Sequence, residues 1–523
     1  MPDQQYGSGV PAIVCLVAAS RLDPVGESVS IRPPGRTANQ EEDHRAMTSR
    51  RTSTSENKVT QKQKRKLQRQ IWTDNPGLDV VHPDAAGIDV GNSEHYVAIA
   101  PEKSDEPVQR FGCFTSDLRN LARVLKAHGI RSIAMQSTGV YWIPLYDVLE
   151  EEGFEVYLVN ARDTRNLPGR KSDVQESQWL LKLHTYGLLR NSFRPTSEIR
   201  TLRTYWRQRA EHVQAASECV NRMQKCLTQM NLQLANVITD IMGQTGQKIL
   251  RSILTGERNP EKLADMRDYR IQASREEIVA SLTGNWRPEL LFVLKQEMDR
   301  YDFCQQQLTE CDLQIQPHLE TLSSRPKVSQ APVQLAVALR KKKKAQGNSP
   351  AFPLDKELGR ISGVDFTRID GINVMTAQTI ISEVGLDMTR WKTESHFASW
   401  LGLCPHNAVS GGKVLRRETR KIVNRAATAF RIAASTLRLS DSYLGAQFRR
   451  FRGKLGAPKA ITAMAHKLAV LFYRMLRLGQ EYVDRGQKFY EDRYRQQQVS
   501  LLNKRAAQLG FSVVPTSTSP GTA

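Results

Sequence analysis

Residues 87–100, GIDVGNSEHYVAIA, decide the fold. Two short apolar runs flank Gly91 and Asn92, a pair that turns a chain back on itself, so the stretch reads as two β-strands. A third run follows around Val108–Phe114. The period then changes: in SDLRNLARVLKAHG (116–129) apolar residues at 118, 121, 124 and 125 recur at helical spacing. RSIAMQ (131–136) reads as a short strand, IPLYDVLEEEG (143–153) as a helix ending at Gly153, and FEVYLVNA (154–161) as another strand. A helix rich in charge and aromatics spans about Ser172 to Leu188. Three strands, helix, strand, helix, strand, helix is the element order of an α/β ribonuclease-H-like domain, a mixed sheet with helices on its faces. It takes residues 81–195.

Asp89 sits mid-strand between Ile88 and Val90. A carboxylate on a buried strand is costly unless it is paired or binds a cation; the plainer alternative is an Asp capping the turn before Gly91. Asp173 and Glu176, spaced i and i+3, share one helix face. In a ribonuclease-H-like sheet the first strand, the end of the fourth and the last helix converge, and Asp89, Gln136 and Asp173/Glu176 occupy those places. Convergent carboxylates with open metal positions are how such folds hold two Mg²⁺ ions for phosphoryl transfer. Gln136 supplies a neutral amide oxygen, leaving three carboxylates. Glu94, in the first turn, is a weaker substitute.

Downstream, Leu202, Trp206, Arg209, Val213, Ala216, Val220, Met223, Leu227, Met230, Leu234, Val237 and Ile241 alternate by four and three. That is a coiled-coil seam interrupted only by Arg209, within a helical region at 196–322. Its partner is either a later helix of the same chain (288–322) or another subunit. Cys219 and Cys226 fall off the seam and read as helix-packing residues. Residues 323–358, with RKKKK at 340–344 among Pro, Gly and Ser, mark a basic linker or insertion. A mainly helical domain follows at 359–498, and 499–523 read as a tail.

Within that last domain, RIDGINVMTAQTIISEVGLD (368–387) places Gly371 in a turn before a helix. The pattern fits a helix-hairpin-helix, which grips a phosphate through backbone N–H groups, or an ordinary packed helical hairpin. LGLCPHNAVSGGK (401–413) sets Ser410 before Gly411 and Gly412, either a plain loop or a nucleophile beside glycines that admit a phosphate. Lys413, Arg416, Arg417, Arg420, Lys421 and Arg425 follow at once. From Lys413 to Lys459 there are thirteen basic residues and two acidic, interleaved with Phe430, Tyr443, Phe448 and Phe451. That density points to nucleic acid.

The whole chain agrees. Its 523 residues carry 75 Lys plus Arg against 54 Asp plus Glu, a net charge of 75 − 54 = +21 and a pI near 9.7. Such an excess calls for a polyanionic partner. A hydrophobic content of 40% excludes a wholly disordered chain. Without an 18-residue uncharged apolar run, no membrane span is expected. The seven cysteines form no CxxC pair, which argues against a disulfide scaffold or zinc knuckle and for a reducing, cytoplasmic setting. Residues 1–80 read as a disordered basic tail. Arg51–Arg69 hold seven basic residues and one acidic, a solvated tail or an arm touching phosphates, and Met47 is a second candidate start.

Five stretches, in this order, resemble the DEDD transposases of the insertion sequence 110 family, above all its 1111 subgroup, related to Piv-type DNA invertases. They are HPDAAGIDVG (82–91), IAMQSTGVYWIPLY (133–146), NLPGRKSDVQESQWL (166–180), the segment 368–387 and HFASWLGLCPHNAVSGGKV (396–414). The resemblance implies a RuvC-like N-terminal domain, a coiled-coil middle and a C-terminal domain with a catalytic serine. It implies recombination of donor and target DNA by metal-bound carboxylates and that serine, guided by an element-encoded (bridge-type) RNA. Carried over, the first Asp is Asp89, the second position, usually Glu, is Gln136, the third is Asp173, the fourth, usually Asp, is Glu176, and the serine is Ser410. The expectation is an RNA-guided, Mg²⁺-dependent recombinase of a mobile element, homo-oligomeric through its coiled coil and working on the bacterial nucleoid. Two alternatives stand beside it: a RuvC-like junction or RNA–DNA nuclease using water, and an impaired nucleic-acid-binding remnant.

Overall fold

A computed structural model describes residues 77–136, 139–161, 172–326, 348–420, 422–479, 482 and 484–514, with Arg417 by backbone alone. The tail expected at 1–80, the RKKKK run and Lys421 fall wholly or almost wholly outside the described residues. Two compact units divide the described chain, one ending at Arg194 and the other starting at Pro195.

The first unit is built on a five-stranded sheet. In chain order its elements are β1 (Ala85–Val90), β2 (Glu94–Ile99), β3 (Val108–Gly112), α1 (Thr115–Ala127), β4 (Ser132–Gln136), α2 (Trp142–Glu151), β5 (Glu155–Val159) and α3 (Asp173–Thr185). The strands lie in the order β3-β2-β1-β4-β5, with β1 to β3 antiparallel and β4 and β5 parallel to β1. This mixed sheet is consistent with a ribonuclease-H-like domain. Side-chain alternation decides which helix covers which face. Ala86, Ile88, Val90, Ile133 and Met135 join Leu118, Leu121 and Leu125 of α1 and Leu145 and Leu149 of α2 in one core. The opposite face carries Gly87, Asp89, Ala134 and Gln136. There Ala134 packs with Leu180 of α3. Gly87 is required: a Cβ on it would lie 2.2 Å from the Leu181 backbone nitrogen, so α3 can sit on β1 only over a bare Cα.

The second unit is mainly helical. Its first helix, α4 (Ser197–Gln229), runs antiparallel to α9 (Pro288–Thr321), with α5 (Leu234–Val237), α6 (Gln244–Leu254), α7 (Pro260–Ala264) and α8 (Arg275–Ser281) between them. Three contacts give the antiparallel sense: Glu198 with His318, Arg209 with Asp312, and Arg222 with Glu297. The seam's partner is therefore the chain's own later helix, the first of the two alternatives its spacing left open. The seam also ends early. The helix stops at Gln229, Asn231 takes a positive φ of 55°, and Leu234 and Ile241 fold back into the core under α6 to α8. Cys219 and Cys226 are buried on the packed face rather than off it, while Val213 and Val220 are only half-buried. Arg209, the one polar residue of the seam, is buried and donates to both carboxylate oxygens of Asp312, at 2.6 and 3.3 Å.

The remainder comprises α10 (Leu354–Ser362), α11 (Val374–Val384), α12 (Glu394–Trp400), β6 (Pro405–Ser410), β7 (Lys413–Thr419), α13 (Arg425–Thr436), α14 (Tyr443–Leu455), α15 (Ala457–Leu478) and α16 (Gly486–Gln508). Their core centres on Phe366, Phe397, Phe430 and Phe472, and Phe366 stacks on Phe472 at 4.3 Å between ring centroids. Two domain boundaries shift. The linker expected to reach 358 ends before α10 starts at Leu354, and α16 continues through QQQVSLLNKRAAQ to Gln508, strong helix formers that the expected tail from 499 had left out. No described helix is long and apolar enough to cross a membrane.

Candidate active site

The C-terminal ends of two adjacent parallel strands and the start of one helix meet on one face of the sheet. β1 and β4 pair with Gly87 opposite Ala134 and Ile88 opposite Met135, so the next step sets Asp89 beside Gln136. Both point to the α3 side, two residues beyond Gly87 and Ala134. Over Gly87 lies the backbone of Ser177 and Leu181. The turn of α3 just before Ser177 carries Glu176 and Asp173. Ser172 caps this helix by accepting a hydrogen bond from the Gln175 backbone N–H at 3.4 Å. Acidic residues in a first turn also suit the positive end of the helix dipole.

Asp89 lies within the field of the α3 carboxylates. Burial, then the charges of Glu176 and Asp173, push the Asp89 carboxyl up to about 6, against a smaller opposing hydrogen bond from the Val90 backbone. Gln136 is 4% exposed, while Asp173 stands in solvent and Glu176 is half-buried. Among the described residues no group of three or more His, Cys, Asp or Glu stands close enough to hold a metal ion. The donor set fits a hard divalent cation in chemistry, being three carboxylates that repel one another and an amide oxygen. Glu94 is engaged elsewhere: it pairs with Arg110 of β3 at 3.1 Å and accepts from Tyr96.

Ser410 lies in the second unit. It ends β6, opposite Lys413 at the start of β7. Gly411 and Gly412 form the turn between them, with φ of 54° and 74°, the left-handed pair that a two-residue hairpin requires. The tight turn that the two glycines imply is present, and the strands on either side of it carry no signal in the sequence. Strand β6 is exposed along its whole length, so Ser410 sits at the tip of a solvent-facing ribbon. Two family models match the chain. Residues 86–232 match the DEDD transposase model of IS110, described as Transposase, and residues 365–447 match the Transposase IS116/IS110/IS902 family. The chain belongs to the IS110 family of DEDD transposases. No curated protein matches it.

The remaining expected contacts of this transposase divide. Lys413 and Arg416 lie exposed on the ribbon, Arg416 pairing with Glu418 at 3.3 Å. Arg420 instead ties the ribbon's exit to Ser399 of α12, and Arg425 approaches Glu211 of α4 at 3.7 Å. The side chain of Arg417 falls outside the description. Gly371 has a positive φ, and a Cβ there would lie 2.7 Å from the carbonyl oxygen of Ala433 in α13, so packing against a neighbouring helix already accounts for this glycine. Phe430 and Phe448, read as interleaved with the basic run, are core residues. Sequence reasoning missed a half-buried lysine, Lys467, which no motif flags because only the fold buries it.

Proposed function

We propose that this transposase cuts and rejoins DNA by phosphoryl transfer, with Asp89, Asp173 and Glu176 holding Mg²⁺, the Gln136 amide oxygen as a fourth, neutral donor, and Ser410 as nucleophile. The observation that carries the reading is the meeting of Asp89, Gln136 and the acidic first turn of α3 on one face of the sheet. When bound, a divalent cation there supplies charge to neutralise the scissile phosphate. Ser410 Oγ loses its proton to solvent and bonds to phosphorus. The phosphorus–oxygen bond to the departing strand breaks, and that strand's oxygen takes up a proton. Rejoining reverses these changes, so the phosphoserine link conserves the bond energy and no ATP is consumed. Lys413, Arg416 and the glycines Gly411 and Gly412 admit and hold the phosphate beside the serine.

An element-encoded RNA choosing the DNA partners completes the proposal. It is supported by the family's resemblance and the +21 net charge. One observation favours a second reading, an impaired nucleic-acid-binding remnant: the buried second position is Gln136, an uncharged amide. The test is to trap covalent protein–DNA adducts on the element's end sequences, with the copurified RNA sequenced and present. The wild type forms an adduct and Ser410→Ala forms none while still binding DNA. An adduct persisting in Ser410→Ala moves the nucleophile elsewhere, and cleavage without any adduct points to the water-using nuclease.

A further inference from the structure

The ribbon β6–β7 holds apolar side chains in solvent that the role of Ser410 leaves unused. Directly opposed residues of an antiparallel pair share a face, and successive pairs alternate between faces. Ser410 opposes Lys413 and Val409 opposes Val414, so serine and lysine lie on one face of the tip and the two valines on the other. Val409 is 59% exposed and Val414 42%. The next pair is Ala408 with Arg416, which leaves Leu415 outside the register as a β-bulge, 71% exposed. Among the described residues nothing lies within 4 Å of where a Cβ on Gly411 or Gly412 would stand, so the tip is open on all sides. Three large apolar side chains thus stand in water on a two-stranded ribbon, an element only marginally stable by itself.

The ribbon's own chemistry selects what covers them. A lysine at a strand end and a bulge both blunt an edge against pairing with another protein strand. From Pro405 to Thr419 the charges are Lys413, Arg416 and Arg417 against Glu418, so a second copy of the ribbon would meet like charge where a polyanion meets its opposite. A two-stranded ribbon is also narrow enough to enter a groove of DNA. Apolar side chains delivered into a groove press between base steps and open them.

We propose that Val409 and Val414 form a wedge that enters the DNA and unstacks the base step beside the phosphate facing Ser410. The choice of DNA as partner rests on the recombinase reading above, while the wedge itself rests on the two-faced tip. The Ser410–Lys413 face meets the sugar–phosphate backbone and the Val409–Val414 face meets the bases, so the apolar surface is covered. Opening the step frees the scissile phosphate from the regular backbone path, which makes the two valines positioning residues for the serine.

The test places 2-aminopurine, whose fluorescence is quenched by stacking, at one step at a time along duplexes of the element's end sequence. The full chain is used with its copurified RNA, in a Ser410→Ala background that keeps both strands intact. One step should brighten several-fold. The double variant Val409→Thr/Val414→Thr keeps the β-branched shape and removes the apolar surface, so it should lose most of that gain, and Val409→Ile/Val414→Ile should keep it. The threonine variant should bind the intact duplex about tenfold more weakly, yet bind a duplex mismatched at that step as tightly as the valine protein does, because a mismatched step is already open. No brightened step, or equal brightening with the threonine variant, overturns the wedge. So does a DNA-free protein that is a dimer by light scattering with valines and a monomer with threonines, since copies of the chain would then cover this face. Unstacking needs no cleavage: an absence of adduct sinks the catalytic reading and leaves the wedge standing. Adducts formed at the wild-type rate by the threonine variant, with Ser410 in place, sink the wedge alone.

Discussion

Gln136 is where the chemistry of a single residue decides most. In the proposed metal site two divalent ions would bring +4 against −3 from Asp89, Asp173 and Glu176, so a neutral amide at the fourth position would leave it short of attraction. Gln136→Glu should bind Mg²⁺ more tightly, seen by calorimetry on the DNA-free protein, and reach half-maximal cleavage at lower Mg²⁺. An unchanged or weaker metal requirement would show that position 136 is not a ligand. At the other end of β4, Ser132 Oγ lies 2.7 Å from His184 Nε2 and His82 stacks on His184 at 4.4 Å. Burial, then the neighbouring His82, lowers the His184 pKa to about 4 from its ordinary 6.5. Between those values the unfolded chain takes up a proton that the folded one refuses. This residue's contribution is therefore fully present above pH 6.5, falls as pH drops through the window and is gone near pH 4, a change of at most about 3 kcal/mol. Denaturant unfolding of the wild type and His184→Asn across that range checks it: the variant's curve should be flatter, and identical slopes would remove His184 as the source.

At the scale of elements, strand β1 and helix α3 carry the proposed metal ligands, and Gly87 sets their separation. Gly87→Val would drive a Cβ to 2.2 Å from the Leu181 nitrogen, a backbone clash that side-chain rotation cannot relieve. The expected cost is about 2 kcal/mol or more, with α3 displaced and Asp173 and Glu176 carried away from Asp89. Thermal melting and Mg²⁺ calorimetry should both report the loss; a variant that melts like the wild type and still binds metal would mean that α3 does not hold the site. The ribbon β6–β7 differs in kind. Its alternation of side chains is weak, both faces are exposed, and only the left-handed Gly411–Gly412 pair marks the turn. A two-stranded ribbon with no buried face offers no periodic apolar signal, so the sequence showed a Ser-Gly-Gly loop and not the strands that carry it.

Across the whole molecule, the pairing of α4 with α9 assigns the heptad seam to a contact within one chain. Leu227 and Met230 are 2% and 0% exposed in the core under the helical hairpin. Replacing both by Lys should therefore unfold this unit, seen by circular dichroism, rather than yield folded monomers; a folded double variant with a smaller mass by light scattering would return the seam to an interface between copies. The sequence by itself determined the element order of the first unit, the strand carrying Asp89, the acidic first turn of α3 and the charge excess, because each rests on local period, turn chemistry or composition. The reading stopped where partners are far apart in the chain. A four-three spacing states that a helix has an apolar face, not what covers it, and Arg209 looked like a flaw in the seam until Asp312, 103 residues later, was beside it. Only the tertiary structure set Asp89 next to Gln136 and buried Phe430 and Phe448 in the core. Burial and charge pairing depend on which segments pack together, and that is decided by the sum of many weak long-range contacts rather than by any residue's neighbours in sequence.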